Sequence, residues 1–288
     1  MNKVKITILG SGTCVPSLKR SSPSVLVRLE NATILLDMGA GTIRRLLEAG
    51  VSISDVSHVL LSHLHPDHTG EFVSFLFATK YPGAYRRRKP FIVAGCRGLK
   101  DFYHRLTAIY GEWIQFERGL LNLIEVDHIN GDLLQFDTFD VQTLPLDHIE
   151  TSVGFRIVTS GGSSVVYTGD TDFCENAITL ADDADILICE SAVPDELQVS
   201  GHLTPSLAGR IASEAKVKNL ILTHFYPECD TVDITAQCRK TYDGPLILAR
   251  DLMEIEIDGD EVIMKNSGVG GQESEVSSQN PGVKRRRK

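Results

Sequence analysis

The sequence lacks the cysteine spacing of a disulfide-stapled or zinc-knuckle protein. Its six cysteines are dispersed, and no two of them form a C-x-x-C pair. Isolated cysteines of this kind predict reduced thiols in a reducing compartment. No apolar run reaches the roughly 18 residues that a membrane span requires, and the first ten residues lack the apolar core of a signal peptide. The expectation is a cytoplasmic protein with no membrane partner.

Lysine and arginine are scarce relative to the acidic residues, at 29 against 38. Five of those cations are the last five residues, so residues 1–283 hold 24 cations against 38 carboxylates. A negative surface repels a polyphosphate backbone. This charge disfavours tRNA and other nucleic acids as partners, and it constrains small substrates less.

The hydropathy pattern indicates a mixed α/β fold. Hydrophobic residues make up 42% of the chain and charged residues 23%, as in ordinary globular proteins. Strand-rich blocks over residues 1–62 and 140–170 are each followed by alternating helical and strand patterns. We therefore predict two sheets, each covered by helices, in a four-layer αββα sandwich. The predicted strands are 4–9, 24–30, 32–37, 58–61, 90–94, 121–126, 138–144, 152–159, 163–168, 185–190, 219–223 and 246–257.

The chain divides into one predicted domain over residues 1–265 and a tail over residues 266–288. The tail has almost no apolar content, so burial cannot offset the entropy of ordering it, and we predict that it is disordered with a basic end. Within the domain, Tyr110, Trp113 and Phe116 are assigned to the core rather than to a pocket wall.

Residues 62–68 carry the strongest chemical signal. His63, His65, Asp67 and His68 lie within six residues, directly after the apolar run 59–61 and before a helical pattern. Imidazole and carboxylate are ligands suited to zinc, manganese or iron. Four donors on one strand-to-helix turn predict a site with two neighbouring metal positions.

This spacing, His63-x-His65-x-Asp67-His68, resembles the signature of the metallo-β-lactamase superfamily. The other metal positions of that superfamily are matched in order by His148, Asp170 and His224, each just after a β-rich run. Asp37 matches the early structural aspartate, which orients the metal loop. The resemblance covers nearly all of residues 3–265.

The resemblance implies two divalent metal ions, with zinc as the expected metal and manganese or iron as alternatives. It implies that His63, His65 and His148 bind one ion, that Asp67, His68 and His224 bind the other, and that Asp170 bridges them. Two such ions about 4 Å apart suit phosphoester hydrolysis by a metal-bridging hydroxide.

Residues 10–20, 201–204 and 222–227 resemble the RNase Z branch of the superfamily. In that branch the histidine matched by His202 assists the leaving oxygen, and the acid matched by Glu190 orients it. Asp67 would both bind metal and accept a proton, so Asp67, His202 and Glu190 are the predicted catalytic residues. Simpler interpretations stay open: His202 as a loop residue that caps a helix, and Glu190 as a structural acceptor.

One departure from RNase Z affects the expected substrate. His148 and Asp170 are 22 residues apart, and residues 160–162 form a hairpin turn between two strands. The long tRNA-binding arm of RNase Z has no room there. We therefore predict a phosphodiesterase whose substrate is a small anionic ester, namely a small or cyclic phosphodiester. A homodimer is implied by the resemblance alone.

Three alternatives are retained at this stage. The first is an RNase Z-like ribonuclease, and the second is an arylsulfatase- or lactonase-type hydrolase, since the same motif occurs in such members of the superfamily. The third is a non-catalytic RNA-binding protein, which the presence of all seven ligand positions disfavours.

Overall fold

The computed structural model describes residues 3–80, 86–258 and 261–265. The predicted tail over residues 266–288 lies outside the described residues, and the single domain over residues 1–265 stays a prediction. Two sheets make up the centre of the described structure. No helix among the described residues is long and apolar enough to cross a bilayer.

The first sheet has eight strands in its described part, and its C-terminal hairpin lies beside the first strand of the chain. β14 pairs antiparallel with β1, with Val4 opposite Ile257. The strand order is β15 (Glu261–Lys265), β14 (Glu254–Asp258), β1 (Val4–Gly10), β2 (Ser24–Arg28), β3 (Thr33–Leu36), β4 (His58–Leu61), β5 (Phe91–Gly95) and β6 (Leu121–Glu125).

The second sheet has seven strands in the described residues, and four of them, β10 to β13, run parallel. The strand order is β13 (Leu246–Leu248), β12 (Leu220–Thr223), β11 (Ile186–Glu190), β10 (Ser164–Tyr167), β9 (Val153–Thr159), β8 (Phe139–Pro145) and β7 (Asp132–Gln135).

Helices cover the outer face of each sheet. The first sheet packs against α1, α3 and α4, and the second packs against α5, α6 and α7. The prediction of a four-layer αββα sandwich is confirmed. The helices are α1 (Thr42–Glu48), α2 (Pro66–Thr69), α3 (Phe72–Lys80), α4 (Leu99–Tyr110), α5 (Glu175–Ala181), α6 (Pro205–Glu214) and α7 (Ile234–Cys238).

Both faces of the first sheet are buried, which explains its nearly continuous apolar runs. Along β3, Ile34 and Leu36 point into the core between the two sheets, whereas Leu35 packs towards Phe72 and Phe75 of α3. Alternate residues therefore serve two different cores. This double burial fixes the register, because a slip of one residue would exchange the two faces.

The structure corrects the sequence predictions in several places. The run 246–257 is two strands, one in each sheet, and β7 and β15 were not predicted. The β7 edge strand is only four residues long and mostly exposed, and its two leucines are adjacent, so it lacks the apolar alternation on which the prediction relied. The core assignment of Tyr110 and Trp113 was wrong, because they are 44% and 54% exposed, whereas Phe116 is partly buried against the core.

The core between the sheets depends on large, fully buried side chains such as Phe155 of β9. We expect Phe155→Ala to lower the free energy of unfolding by about 3–5 kcal/mol through lost burial and a residual cavity. Leu133→Ala on β7, where the side chain is 57% exposed, is the matched control and changes it by less than about 0.5 kcal/mol. Urea denaturation measures both, and equal effects would contradict this view of the core.

Candidate metal centre

The predicted ligands lie at one edge of the sandwich, where strands of both sheets end. In the first sheet, β4 leads into Ser62 and His63. In the second sheet, β8, β10 and β12 point the same way and are followed by His148, Asp170 and His224. The Val153 amide donates to the Ser62 carbonyl at 3.1 Å and joins the sheets at this edge.

Asp170 lies between two groups of histidines. Its Oδ2 lies 3.9 Å from Nε2 of both His63 and His148, and its Oδ1 lies 3.2 Å from Nε2 of His68 and 3.3 Å from Nε2 of His224. One carboxylate therefore faces both groups through different oxygens. This is the arrangement of a carboxylate that can bridge two cations.

The donor atoms form compact clusters. In each of the following three groups, the ligand atoms lie within 4.8 Å of one another: His63, His65, His148 and Asp170; Asp67, His68 and His224; and Asp170, His202 and His224. The first two groups have the membership that the superfamily resemblance implied, and the ligand roles themselves stay a prediction.

Several of these atoms are buried without a hydrogen-bond partner. They are Nε2 of His63 and His68, both ring nitrogens of His224, and Oδ1 of Asp170. Buried polar atoms are almost always paired. The Nε2 atoms of these histidines and the Asp170 carboxylate lie close together, and such unpaired nitrogen and oxygen atoms fit the coordination of divalent cations.

Three of the ring nitrogens that face away from the centre are occupied by hydrogen bonds. Nδ1 of His68 donates to Asp37 at 2.7 Å, Nδ1 of His148 donates to the Gly201 carbonyl at 2.8 Å, and Nδ1 of His63 donates to Ser62 Oγ at 3.0 Å. These bonds set the tautomer of each imidazole and turn its Nε2 lone pair inward.

Asp37 holds the metal loop through four hydrogen bonds. Its carboxylate accepts from Ser62 N and Ser62 Oγ, from His68 Nδ1 and from the Tyr167 hydroxyl, at distances between 2.7 and 2.8 Å. Asp37 is fully buried and adopts a positive φ of 58°, and the predicted ligand His224 has a φ of 61°. This left-handed backbone costs about 1–2 kcal/mol per residue, so both side chains are held in place by their surroundings.

Burial and neighbouring charge set the protonation of the histidines. Burial lowers the pKa of His63 to about 2, so its imidazole is neutral and free to bind a cation. Burial acts against the charged form of His68 as well, but the adjacent Asp170 and Asp37 carboxylates outweigh it and raise the pKa of His68 well above its ordinary value. A proton on Nε2 of His68 and a cation bound to it are therefore alternatives, because either one balances the negative charge of the same two carboxylates.

The two central carboxylates are held ionised. Burial opposes the charge of Asp170, but His224 and His68 beside it keep the pKa of Asp170 well below its ordinary range. Burial also opposes the charge of Asp67, and the neighbouring His224 and His68 lower its pKa overall. Asp67 Oδ2 lies 3.7 Å from His224 Nε2, and its side chain is 12% exposed. Asp67 is thus an ionised, partly exposed carboxylate at the rim of the centre, and its role as proton acceptor stays a prediction.

His202 and Glu190 form a pair beside the second group. His202 Nδ1 donates to Glu190 Oε1 at 3.0 Å. Burial alone would lower the pKa of His202, yet the hydrogen bond and charge of Glu190 raise it to about 8. Burial raises the pKa of Glu190 in turn, against the hydrogen bond from His202. Glu190 also accepts from the amides of Thr171 and Leu203. Its contact with His202 is consistent with an orienting role, and its contacts with these amides are consistent with a structural role.

The structure brings all nine predicted site residues to this edge, and it adds two that the sequence analysis missed. The Tyr167 hydroxyl bonds the carboxylate that orients His68. The Tyr226 ring lies 6.0 Å from His224 and 6.4 Å from His202, centroid to centroid. Both tyrosines flank predicted ligands in the sequence, but a polar ring at a strand end gives no local signal of its partner.

We expect Tyr167→Phe to weaken zinc binding about tenfold, because Asp37 loses a hydrogen bond and holds His68 less firmly. Competition with a chromophoric chelator measures the affinity without any turnover. Tyr103→Phe is the matched control. Tyr103 lies on α4, away from the centre, and its hydroxyl donates to the Ile114 carbonyl. Equal affinities for both variants would show that Tyr167 does not position the ligand.

Comparison with known proteins gives relatives over most of the chain. The family described as anti-Pycsar protein Apyc1 matches residues 4–237. Uncharacterized protein ML1173 of Mycobacterium leprae is 31% identical over 248 residues, which cover 84% of this chain and 85% of that protein. Ribonuclease Z of Archaeoglobus fulgidus is 27% identical over 314 aligned residues, which cover 89% of this chain and 99% of that enzyme.

A solved structure shows the same fold. The metallo-β-lactamase fold protein YhfI from Bacillus subtilis superposes with a TM-score of 0.75 at 23% identity and covers 89% of this chain and all of that one. The resemblance to the metallo-β-lactamase superfamily and to ribonuclease Z is thus confirmed. The chain belongs to the family described as anti-Pycsar protein Apyc1, and it is a metal-dependent hydrolase of the metallo-β-lactamase superfamily.

Proposed function

We propose that this protein is a phosphodiesterase that uses two divalent metal ions to hydrolyse small or cyclic phosphodiesters. The observation that carries the proposal is the position of Asp170, whose two oxygens face two separate groups of histidines. A carboxylate placed in this way suits a pair of cations, and paired cations suit the displacement reactions of phosphate esters.

The donor set favours zinc, with manganese or iron as alternatives. Five imidazoles and two carboxylates offer borderline nitrogen and oxygen ligands. The first ion would be held by His63, His65 and His148, the second by Asp67, His68 and His224, and Asp170 would be shared. Ions held there would supply Lewis acidity and lower the pKa of a nearby water.

The chain's own residues supply proton transfer and orientation. Asp67 is an ionised carboxylate at the rim of the centre and is suited to hold the proton of the attacking water. His202, with a pKa of about 8, carries a proton at neutral pH that it can give to the leaving oxygen. Glu190 fixes the ring of His202 through Nδ1 and leaves Nε2 for the substrate.

The loops around the centre support a small substrate. Between Ile149 and Gly169 the described chain forms β9, β10 and the tight turn between them, with Gly162 at a φ of 88°. No arm projects from this segment to contact a folded RNA. The acidic charge of residues 1–283 likewise disfavours a long polyanion.

A second candidate is an RNase Z-like ribonuclease, which the similarity to Ribonuclease Z of Archaeoglobus fulgidus favours. Ribonucleases cleave the same class of bond, so the two candidates share one chemistry and differ in substrate size. Cleavage of a precursor tRNA with higher kcat/KM than any small diester would favour the ribonuclease.

The first test uses Asp67→Ala with bis-p-nitrophenyl phosphate as substrate and zinc- or manganese-loaded protein. We expect kcat/KM to fall by about 10²–10⁴-fold, because the proton acceptor is lost. Metal analysis of the variant separates lost metal from lost proton transfer. Asp137→Ala, at an exposed position on the β7–β8 connection, is the control and keeps full activity.

A negative outcome of that test is informative. Wild-type protein shown to hold two metal ions but unable to cleave the diester would refute the phosphodiesterase proposal. p-Nitrophenyl sulfate and a simple lactone are assayed beside it, and turnover of either would then favour the sulfatase or lactonase alternative.

The second test concerns His202. We expect His202→Asn to lower kcat by about 10²–10⁴-fold for a diester with an alkyl leaving group, while one with a p-nitrophenolate leaving group is affected far less. The reason is that p-nitrophenolate departs without a proton, whereas an alkoxide needs one. Equal losses for both substrates would point to a structural role instead; that role would not be helix capping, since the Thr204 side chain caps α6 by accepting from the Leu207 amide.

A further inference from the structure

A second polar cavity lies on the same edge of the sandwich as the metal centre. It measures about 390 Å³ and lies between the loop after β1, the start of α1, the 3₁₀ turn Pro227–Thr231 and the β13–β14 connection. The two sites are adjacent, because the Phe225 amide, next to the ligand His224, donates to the Ser11 carbonyl in the cavity wall at 3.0 Å. We call it the anion cavity.

Four cationic side chains line the anion cavity. They are Lys19, Arg20, Arg45 and Arg250, drawn from three different segments of the chain. Such a convergence is notable in a protein whose residues 1–283 carry far more carboxylates than cations. Like charges gathered in one concave site repel each other unless an anion balances them.

The two carboxylates in the wall do not provide that balance. Asp251, with a side chain only 5% exposed, accepts from Ser11 N, Ser11 Oγ and Ser21 N at 2.7–3.0 Å and lies 3.2 Å from Arg45. Asp230 is bound by both terminal nitrogens of Arg20, at 2.6 and 2.7 Å. Each carboxylate is therefore committed to the framework of the cavity.

Lys19 and Arg250 supply the excess charge. Both are exposed, and no carboxylate of the described chain lies within 4.0 Å of either side chain. Two paired and two unpaired cations against two carboxylates leave a net charge of about +2 in the cavity, on the ordinary ionisation of these groups. A dianion matches that charge.

We propose that the anion cavity binds a phosphomonoester-type dianion. Guanidinium groups recognise phosphate oxygens through paired N–H donors, and a lysine ammonium adds a mobile point charge. The volume is sufficient for a phosphate together with part of the group that carries it. This binding is independent of the metal centre and of the reaction proposed there.

The position of the cavity connects its ligand with the catalytic edge. The Arg20 guanidinium lies 5.3 Å from the centre of the Phe225 ring, and Phe225 follows His224 in the sequence. A phosphate in the cavity is therefore either a terminal phosphate of the substrate itself or a separate phosphate compound. Both sources present the same dianion to the same side chains.

The binding test uses the full-length, metal-loaded protein and inorganic phosphate, followed by calorimetry. The wild type is expected to bind phosphate in two classes, one at the metal centre and one in the anion cavity. The double variant Lys19→Gln with Arg250→Gln should weaken one class by roughly tenfold or more and leave the other. That class should also weaken as salt is raised, since its cations are exposed.

The matched control is Lys100→Gln with Arg105→Gln, which removes the same charge from the exposed face of α4. It should leave both classes of phosphate binding intact. Phosphate binding that is the same in the wild type and in the Lys19 and Arg250 variant would overturn the proposal, whatever the enzyme hydrolyses.

A second measurement identifies the source of the phosphate. kcat/KM is compared for a dinucleoside monophosphate with and without a 5′-phosphate. A gain from the 5′-phosphate that disappears in the Lys19 and Arg250 variant assigns the cavity to the substrate. Loss of phosphate binding in the variant without any such gain assigns it to a separate phosphate compound.

Discussion

The catalytic edge depends on one buried carboxylate, that of Asp37. It accepts hydrogen bonds from the β4–α2 loop and from Tyr167 of the opposite sheet, so a single side chain ties both halves of the sandwich to the metal loop. A buried carboxylate is stable only when its oxygens are fully paired. Any change that loosens the packing between the sheets therefore reaches His68, and through it the metal centre.

The electrostatics of the centre follow from what surrounds it. The buried imidazole of His63 is neutral, whereas Asp170 and Asp67 stay ionised because His68 and His224 lie beside them. Buried ring nitrogens without hydrogen-bond partners and two anionic carboxylates lie together, and this combination favours the binding of cations. Filled with divalent ions, the centre becomes a local positive region that attracts an anionic ester despite the acidic surface.

Under the proposed function, we expect loops rather than the sheets to decide substrate size. The strands bring the predicted ligands together, and the segment before Asp170 is a tight hairpin. The cationic side chains are concentrated instead in the anion cavity beside β1. A short phosphorylated molecule satisfies both features, since it needs no arm and presents few charges.

The sequence by itself indicated the mixed α/β fold and most of its strands, and it supplied the set of predicted metal ligands. Doubly buried strands leave apolar runs, and the ligands follow such runs at short spacing, so both signals are local. Only the tertiary structure decided that Asp170 faces both histidine groups, that Tyr167 bonds Asp37, and that the C-terminal strands join the first sheet. These contacts join residues that are far apart in the chain. The strand order of the two sheets brings them together, and no local sequence pattern encodes that order.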